Sequence, residues 1–299
     1  MPEDQTGQPA DDVLYERRDD GVAVITLNRP KSLNAMGGQL MLLLPKYLQQ
    51  AQRDHKVRAV VLTGAGRAFC AGGDVKGMAR RPDNSEAAAV PPAGGGAATE
   101  GRNSDSEPSL ISAFDDGVAG LRQSQLETSF VLHTMPKPTI GLINGFAVGA
   151  GLSLALACDI RIASDKAKFG TAFRNVGLSG DYGGSYYMTN IVGTAKAREL
   201  YFEARMIDAE EALALGLANR VVPHDKLMEE GLAYAAELAA GPTRTLARMK
   251  ENLNLATHVD LKTLMDHEAQ NMRLSGMSND SREAVKAFVE KREPKFAGK

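Results

Sequence analysis

Cysteine and tryptophan are the scarcest residues of this chain. Its 299 residues include two cysteines, Cys70 and Cys158, and no tryptophan. Two cysteines are too few for a disulfide framework, and both lie in apolar surroundings, so we predict reduced, buried thiols. No cysteine or histidine cluster has the spacing of a metal site, so no bound metal is expected.

Long apolar runs and an excess of charge are also missing. The longest apolar stretch, residues 139–157, is interrupted by several glycines, which argues against a membrane helix. The first dozen residues are polar and acidic, so they do not read as a signal peptide. The net charge of −2 gives no reason to expect nucleic acid or an anionic membrane as a partner. We therefore predict a cytoplasmic protein.

The chain does show a repeated alternation between strand and helix patterns. Val13–Arg17 and Val22–Leu27 are β-rich runs joined by Asp-Asp-Gly, which predicts a hairpin. Further along, apolar runs predict buried strands and 3.6-residue periodicity predicts helices. The predicted strands are 57–62, 139–143 and 159–163, and the predicted helices are 39–52, 111–133 and 149–158. Strands that alternate with helices indicate an α/β fold with crossover connections.

Changes in composition divide the chain into segments. Residues 1–12 are predicted to be a disordered tail. Residues 80–109 contain Pro-Pro, Gly-Gly-Gly and many small residues, which predicts a mobile insertion without a core of its own. From Ala195 onwards almost every segment has helical periodicity. We therefore predict an α/β core over residues 13–206 and a helical region over residues 207–299.

Two glycine-rich turns are candidates for a binding site. Cys70-Ala71-Gly72-Gly73-Asp74 follows one strand, and Gly149-Ala150-Gly151 follows another and opens a helix. Each turn alone is more often structural, and the second lacks the downstream acid of a dinucleotide-binding fingerprint. Taken together, two such turns can offer a pair of converging N–H groups, which is an oxyanion hole. The pattern predicts chemistry through an enolate or a tetrahedral oxyanion.

A set of short motifs resembles one known family. In chain order they are Asn28-Arg29-Pro30-Lys31 with Asn34-Ala35, Leu62-Thr63-Gly64, Phe69 with Ala71-Gly72 and Asp74, Lys137-Pro138, Asn144-Gly145 with Gly149 and Gly151, Cys158-Asp159, and Ser164-Asp165-Lys166-Ala167-Lys168-Phe169-Gly170. In order and spacing this set is similar to the enoyl-CoA hydratase/isomerase (crotonase) family, from about residue 13 to residue 296 apart from the insertion.

The resemblance implies a fold, a substrate and a set of site residues. The implied fold is a spiral of ββα turns with a C-terminal helical region that forms a homotrimer, or a hexamer made as a dimer of trimers. The implied substrate is an acyl-CoA thioester, with no cofactor beyond its coenzyme A moiety, and its carbonyl oxygen would accept hydrogen bonds from the N–H groups of Ala71 and Ala150. The residues implied to contact the CoA or acyl group are Lys31, Ala71, Gly72, Gly73, Asp74, Val75, Gly149, Ser153, Phe173, Phe288 and Lys291.

The chain departs from this family at two catalytic positions. Hydratases of the family carry one glutamate at the position of Ser153 and a second at the position of Phe173. Serine is a poor general base at neutral pH and phenylalanine offers no proton, so hydration by the usual mechanism is in doubt. Asp181, in a glycine-rich loop, matches a working aspartate of isomerase and dehalogenase branches. Dehalogenases also use a histidine and a tryptophan. This chain has no histidine at the matching position and no tryptophan, so dehalogenation is not favoured.

Three hypotheses follow from the sequence. The first is an isomerase that forms a thioester enolate and moves a proton with Asp181. The second is a hydratase that uses Asp181 or Glu127 with an ordered water. The third is a family member that binds acyl-CoA without turnover. The two turns favour the first two hypotheses, because a protein that only binds does not need both.

Overall fold

The computed structural model describes residues 11–74 and 110–298, in which an α/β body precedes a group of helices. The strands are β1 (Val13–Arg17), β2 (Val22–Leu27), β3 (Ala59–Gly64), β4 (Ala68–Cys70), β5 (Thr139–Ile143), β6 (Phe146–Val148), β7 (Ile160–Ser164), β8 (Lys168–Gly170), β9 (Ile207–Asp208) and β10 (Arg220–Val222). The α-helices are α1 (Leu40–Arg53), α2 (Leu110–Glu127), α3 (Ser129–Thr134), α4 (Ala150–Ala157), α5 (Gly184–Glu203), α6 (Ala209–Ala214), α7 (Leu227–Ala240), α8 (Thr243–Leu255), α9 (Leu261–Gly276) and α10 (Asn279–Glu290).

The described strands form two mixed sheets. The larger has the order β1-β2-β3-β5-β7-β10, and the smaller has the order β4-β6-β8-β9. Among the strands that the structure describes, only β1 with β2 and β8 with β9 pair antiparallel. The strands β3, β5 and β7 belong to the larger sheet, and the short strands β4, β6 and β8 that follow them belong to the smaller one. Helix α4 follows the pair β5 and β6, and helix α5 follows the pair β7 and β8. This repeated strand–strand–helix arrangement confirms the predicted α/β class.

The central strands of the larger sheet are buried, as their sequences predict. All five residues of β5 are buried, as are the first five of β3, because a parallel sheet with covered faces has no solvent-facing side. The predicted hairpin is confirmed, and its register pairs Val13 with Leu27 and Arg17 with Ala23. Cys70 and Cys158 are both buried free thiols, as predicted.

Three boundaries differ from the sequence predictions. The helix predicted over 111–133 is two helices, because Thr128 leaves helical geometry (φ −122°, ψ −89°) between α2 and α3. Helix α5 begins at Gly184, eleven residues before Ala195, and β10 lies in a region predicted to be helical. Short strands such as β10 are set by a distant partner, here β7, rather than by local periodicity. The predicted tail and the insertion at 80–109 lie outside the described residues, apart from residues 11 and 12.

Two buried asparagines of the motif set organise the loop between β3 and β4. Asn34 donates to the carbonyls of Ala65 (2.9 Å) and Ala68 (2.7 Å), and its own Oδ1 accepts from the Arg29 N–H. Asn144 donates to the Gly66 carbonyl (2.8 Å). Because these carbonyls would otherwise be buried without partners, the asparagines hold the chain in the path that leads into the turn after β4.

The end of the chain is attached to the body by two charged side chains. The buried Asp280 carboxylate accepts from the N–H groups of Ala297 (2.7 Å) and Gly298 (2.8 Å). Arg58, at the start of the larger sheet, donates to the carbonyl of Phe296 (3.1 Å) and to Thr243 Oγ1 (2.8 Å). The last residues therefore connect α10 to the sheet.

Removing this attachment should destabilise the fold. Asp280→Ala removes two hydrogen bonds to a charged acceptor, and each bond of this kind contributes about 1.5–3 kcal/mol. We expect the free energy of unfolding in urea to fall by about 2 kcal/mol. The matched control is Asp266→Ala, on the exposed surface of α9, which should change stability by less than about 0.5 kcal/mol. Equal effects of the two substitutions would contradict the role given to Asp280.

Candidate active site

The turn after β4 presents one free backbone amide. The Ala71 N–H donates to the Leu33 carbonyl (3.0 Å), and the Asp74 N–H donates to the Met36 carbonyl (3.2 Å). Among the described residues, no acceptor receives the N–H of Gly73. The sequence prediction that Ala71 supplies an oxyanion amide is therefore corrected: that amide is already occupied by Leu33, and the free donor of the turn is Gly73.

The second turn presents its free amide at the start of a helix. Ala150 is the first residue of α4, so its N–H has no partner within the helix. Within residues 11–74 and 110–298, no other acceptor receives it. The preceding N–H, that of Gly149, donates to the Gly170 carbonyl (2.9 Å). Ala150 therefore keeps the role that the sequence predicts for it as a possible donor to a ligand.

The two turns are packed against each other at Gly72. A methyl group added at this position would lie 2.9 Å from the Val148 carbonyl oxygen and 3.6 Å from the Ala150 nitrogen. Gly72 also has φ +94°, a conformation that side chains other than glycine rarely adopt. Because only glycine permits this approach, the amides of Gly73 and Ala150 come to lie where the turn after β4 meets the turn after β6.

The loop that carries Asp181 is anchored by the next residue. Tyr182 has a positive φ of 51°, and its side chain is almost completely buried. Its hydroxyl is hydrogen-bonded to Ser124 Oγ (2.8 Å), and its N–H donates to Gln125 Oε1 (2.9 Å), both on α2. A strained backbone of this kind persists only where its surroundings hold it. Tyr182 is thus a core residue that fixes the position of Asp181.

The Asp181 carboxyl lies in an environment that disfavours its charge. Burial raises its pKa from the ordinary 3.8 to about 6. Its Oδ1 atom is buried and has no hydrogen-bond partner among the described residues. An unpaired buried acceptor costs about 1–3 kcal/mol, so such an atom is unusual unless it has a function. A carboxyl with this pKa can gain and lose its proton close to neutral pH.

The wall beside Asp181 is built from aromatic rings and small residues. Phe173 stacks on Tyr201 with ring centroids 6.3 Å apart. A methyl group added at Gly180 would lie 3.3 Å from the Tyr201 ring and 3.6 Å from the Phe173 ring. One added at Gly149 would lie 3.7 Å from Phe173. Phe173 therefore joins the loop of Asp181 to the turn of Ala150.

Ser153, the other departure, is buried one turn into α4. Its hydroxyl makes a long hydrogen bond of 3.4 Å to the Gly149 carbonyl. A methyl group added at Gly184, at the start of α5, would lie 2.3 Å from Ser153 Oγ and 2.8 Å from the Tyr201 hydroxyl. The Gly184 N–H in turn donates to the Asp181 carbonyl (3.1 Å). Ser153, Tyr201 and Asp181 thus surround the first turn of α5.

The other candidates from the sequence are exposed or have partners of their own. Phe288 is 85% exposed on α10, and Lys31 and Lys291 are also exposed. Asp74 forms an ion pair with Arg29 (3.3 Å). Glu127 accepts a hydrogen bond from Gln123 on the same helix (2.5 Å). Val75 lies outside the described residues.

Two tyrosines and one cysteine near the site contribute to the fold rather than to the chemistry. Tyr187 is buried, with its hydroxyl 3.4 Å from the Ser129 carbonyl, and Tyr186 bonds to Thr257. Burial raises the pKa of the Cys70 thiol to about 12, and the nearby Asp181 charge acts in the same direction. A thiol with such a pKa is protonated at neutral pH, so Cys70 is not a nucleophile.

Two residues of the cluster escaped the sequence analysis. Tyr201 lies twenty residues after Asp181 and returns to it because α5 is broken at Gly193 (φ 76°, ψ 164°), so no local motif marks it. Gly73 was recognised as part of the turn but not as its free donor. That distinction depends on Leu33, which reaches Ala71 from a separate loop. The sequence does contain a weak signal for Tyr201, because an aromatic residue on the inner face of a predicted helix is expected to pack against a neighbouring loop.

Within the described residues, no group of three or more histidine, cysteine, aspartate or glutamate side chains could hold a metal ion. The same part of the chain contains no helix that is long and apolar enough to cross a membrane.

Comparison with known proteins shows to which family this chain belongs. The family model for enoyl-CoA hydratase/isomerase matches residues 17–93 and 116–299. The chain is 36% identical over 281 residues to 1,2-epoxyphenylacetyl-CoA isomerase of Escherichia coli (strain K12), covering 93% of this chain and 96% of that protein. It is 31% identical over 272 residues to short-chain-enoyl-CoA hydratase of Clostridium acetobutylicum, covering 91% and 92%.

The fold comparison agrees with the sequence comparison. The crystal structure of enoyl-CoA hydratase from Bacillus anthracis superimposes with a TM-score of 0.80 at 29% identity, covering 96% of this chain and 100% of that one. The similarity confirms the crotonase-like fold that the motifs imply, with two mixed sheets followed by helices. The chain belongs to the enoyl-CoA hydratase/isomerase (crotonase) family and is an enzyme that acts on acyl-CoA thioesters.

Proposed function

We propose that this enzyme is an acyl-CoA isomerase, which moves a double bond along the acyl chain by way of a thioester enolate. The observation that carries the proposal is Asp181: a buried carboxyl with a pKa raised to about 6 and an unpartnered oxygen, beside the turns that hold two free amides. An isomerisation needs one group that removes a proton and returns it elsewhere. A single carboxyl can do both.

The proton transfer balances within the substrate. In a 3-enoyl thioester, the Asp181 carboxylate takes a proton from the second carbon, and the electrons of that C–H bond pass to the thioester oxygen as an enolate. The loaded carboxyl then returns the proton to the fourth carbon, and the carbonyl and a 2-enoyl double bond are formed. Atoms and charge are unchanged, and no cofactor beyond the CoA moiety of the substrate is required.

The amides of Gly73 and Ala150 stabilise the enolate oxygen. Both donors lack an acceptor among the described residues, and the close packing at Gly72 brings their turns together. Ala150 also lies at the N-terminus of α4, where the helix dipole favours negative charge. Donors that are already oriented need no reorganisation when charge develops, which is why such pairs lower the barrier.

Hydration is the less favoured reaction because it needs two proton-bearing groups around a water molecule. Here Ser153 and Phe173 occupy the positions of the two glutamates, and neither acts as a general base at neutral pH. The name of the E. coli relative, an isomerase, agrees with this preference, whereas that of the clostridial relative is a hydratase. Turnover therefore has to be measured on both classes of substrate.

The decisive experiment is a screen of CoA thioesters by liquid chromatography and mass spectrometry. We expect 3-enoyl thioesters to be converted to 2-enoyl thioesters without a change of mass. Hydration would instead add the mass of one water to 2-enoyl thioesters. Conversion only with gain of water would overturn the isomerase proposal in favour of the hydratase, and binding without any conversion would favour the non-catalytic hypothesis.

The enzyme assembles as a trimer or as a dimer of trimers. Support comes from large apolar side chains that one chain leaves exposed on its C-terminal helices: Leu253, Met272, Met277, Phe288 and Val289, each at least 70% exposed. Apolar side chains in such number on one region usually mark an interface. Sedimentation velocity at micromolar concentration should show a trimer or hexamer, and a single monomer species would contradict this.

A further inference from the structure

We propose that Tyr201 and Ser153 form a hydroxyl pair that binds an oxygen atom carried by the acyl chain, so that the preferred substrates are CoA thioesters oxygenated close to the thioester. This inference deepens the proposed function and rests on it for the position of the thioester. It concerns which acyl group is selected, whereas the proton transfer itself is assigned to Asp181.

The two hydroxyls lie close together on facing elements. Ser153 is on α4 and Tyr201 is near the end of α5, and Gly184, at the start of α5, lies against both hydroxyl groups. A methyl group added there would stand 2.3 Å from one oxygen and 2.8 Å from the other. No larger residue fits at this position without displacing a hydroxyl, so glycine allows both to converge on one place.

The Tyr201 hydroxyl is a donor that the fold leaves unused. No hydrogen bond joins it to another residue in the described parts of the chain, and the residue is half-buried. Burial raises its pKa to about 12, and the neighbouring Asp181 charge adds to the effect. The phenol therefore stays protonated through the working pH range and can donate a hydrogen bond, but it does not act as a base.

The Ser153 hydroxyl is only weakly engaged. Its bond to the Gly149 carbonyl is 3.4 Å long, well beyond the usual 2.7–2.8 Å of hydroxyl donors. Rotation about a single side-chain bond releases it. Together with the unpartnered Oδ1 of Asp181, the site thus holds three polar groups whose hydrogen-bonding capacity the protein does not fully use.

The position of the pair along the acyl chain follows from the helix. Ser153 comes three residues after Ala150, which is ~4.5 Å along the helix axis. If the thioester oxygen accepts from the Ala150 N–H, the pair lies beside carbons close to the thioester rather than at the far end of the chain. An acyl chain without oxygen at this position would exclude water from the two hydroxyls and offer them no hydrogen-bond partner. Sites that hydrogen-bond a polar group of the substrate discriminate strongly against analogues that lack this group.

The test compares binding of two thioesters that differ in one oxygen. Isothermal titration calorimetry with butyryl-CoA and 3-hydroxybutyryl-CoA measures the preference without requiring isomerisation, since neither has a double bond to move. We expect the native enzyme to bind 3-hydroxybutyryl-CoA about tenfold more tightly, the effect of roughly one well-formed hydrogen bond. Tyr201→Phe should reduce this ratio to near one and leave the affinity for butyryl-CoA within about twofold.

A matched control and a second variant make the result decisive. Tyr234→Phe removes a phenol that packs under Arg220 on α7, away from the site, and should keep the tenfold preference. Ser153→Ala should weaken the preference, which provides a second measurement should Tyr201→Phe fold poorly. The inference is overturned if both Tyr201→Phe and Ser153→Ala keep the preference, or if the native enzyme shows none while it binds butyryl-CoA. A preserved preference without any turnover would instead refute only the isomerase proposal.

Discussion

Asp181→Asn is expected to lower kcat by about 10²–10⁴-fold on the thioester that the native enzyme converts. The asparagine side chain has nearly the same shape but cannot accept the proton from the substrate carbon. Its affinity for the CoA thioester should change little, because the carboxyl acts on the acyl carbons and not on the CoA. Steady-state kinetics, with binding measured separately by calorimetry, test both statements.

The pH dependence of the native enzyme should report the same carboxyl. The base is active when it is ionised, and its pKa is raised to about 6 by burial. We therefore expect kcat/KM to fall below about pH 6 and to reach a plateau above about pH 7. In Asp181→Asn the residual rate should lack this step.

The same substitution should raise stability at neutral pH. Because the folded pKa of Asp181 (about 6) lies above its ordinary value of 3.8, the native state binds the proton more tightly than the unfolded state. The stability contributed by this group is therefore complete below pH 3.8 and is lost as the pH rises through 6. The loss is at most on the order of 3 kcal/mol, less any screening by solvent. Urea unfolding at pH 5 and pH 8 should show that Asp181→Asn gains most at pH 8.

A second acidic residue provides the control for these measurements. Glu127 is paired with Gln123 on α2, and Glu127→Gln should leave kcat, its pH profile and stability nearly unchanged. If Glu127→Gln loses activity while Asp181→Asn retains it, the proton is moved by Glu127, and the assignment of the base to Asp181 is wrong.

The fold was largely predictable because its strands and helices have strong periodic signals. The runs at 22–27 and 139–143 are strands with the predicted bounds, because a buried parallel sheet demands continuous apolar sequence. The run at 13–17 also has its predicted bounds, because the short turn before β2 fixes it as the other strand of a hairpin. By contrast, β10 has three residues and depends on a partner nearly sixty positions away. Periodicity within a window of that size carries no such information.

The site was predictable only in part, and the reason differs from residue to residue. Ala150 could be assigned because an unpaired amide is inherent in the first turn of any helix. Ala71 could not be excluded, because the carbonyl that occupies its amide belongs to Leu33 in another loop. Tyr201 has no marker of its own, since its role depends on how closely α5 approaches α4 at Gly184.

Proline substitutions in the two turns separate catalytic amides from structural ones. Ala150→Pro removes one donor to the enolate oxygen, and we expect kcat to fall by about 10²–10³-fold, as when one donor of an oxyanion hole is lost. Proline is well tolerated at the first position of a helix, where the N–H has no helical partner. The preceding residue is Gly149, whose lack of a Cβ reduces the steric conflict that proline causes. The free energy of unfolding should therefore change little.

Ala71→Pro should have the opposite profile. It removes the hydrogen bond to the Leu33 carbonyl, so we expect unfolding to become easier by about 1 kcal/mol or more, whereas the donors to the substrate remain. Gly73→Pro should resemble Ala150→Pro in its loss of kcat, and Ala150→Gly, which keeps the amide, should retain most of the native rate. Because kcat and urea unfolding are measured on the same variants, the comparison distinguishes loss of a donor from loss of structure. If Gly73→Pro and Ala150→Pro turn over substrate normally, these amides do not hold the enolate.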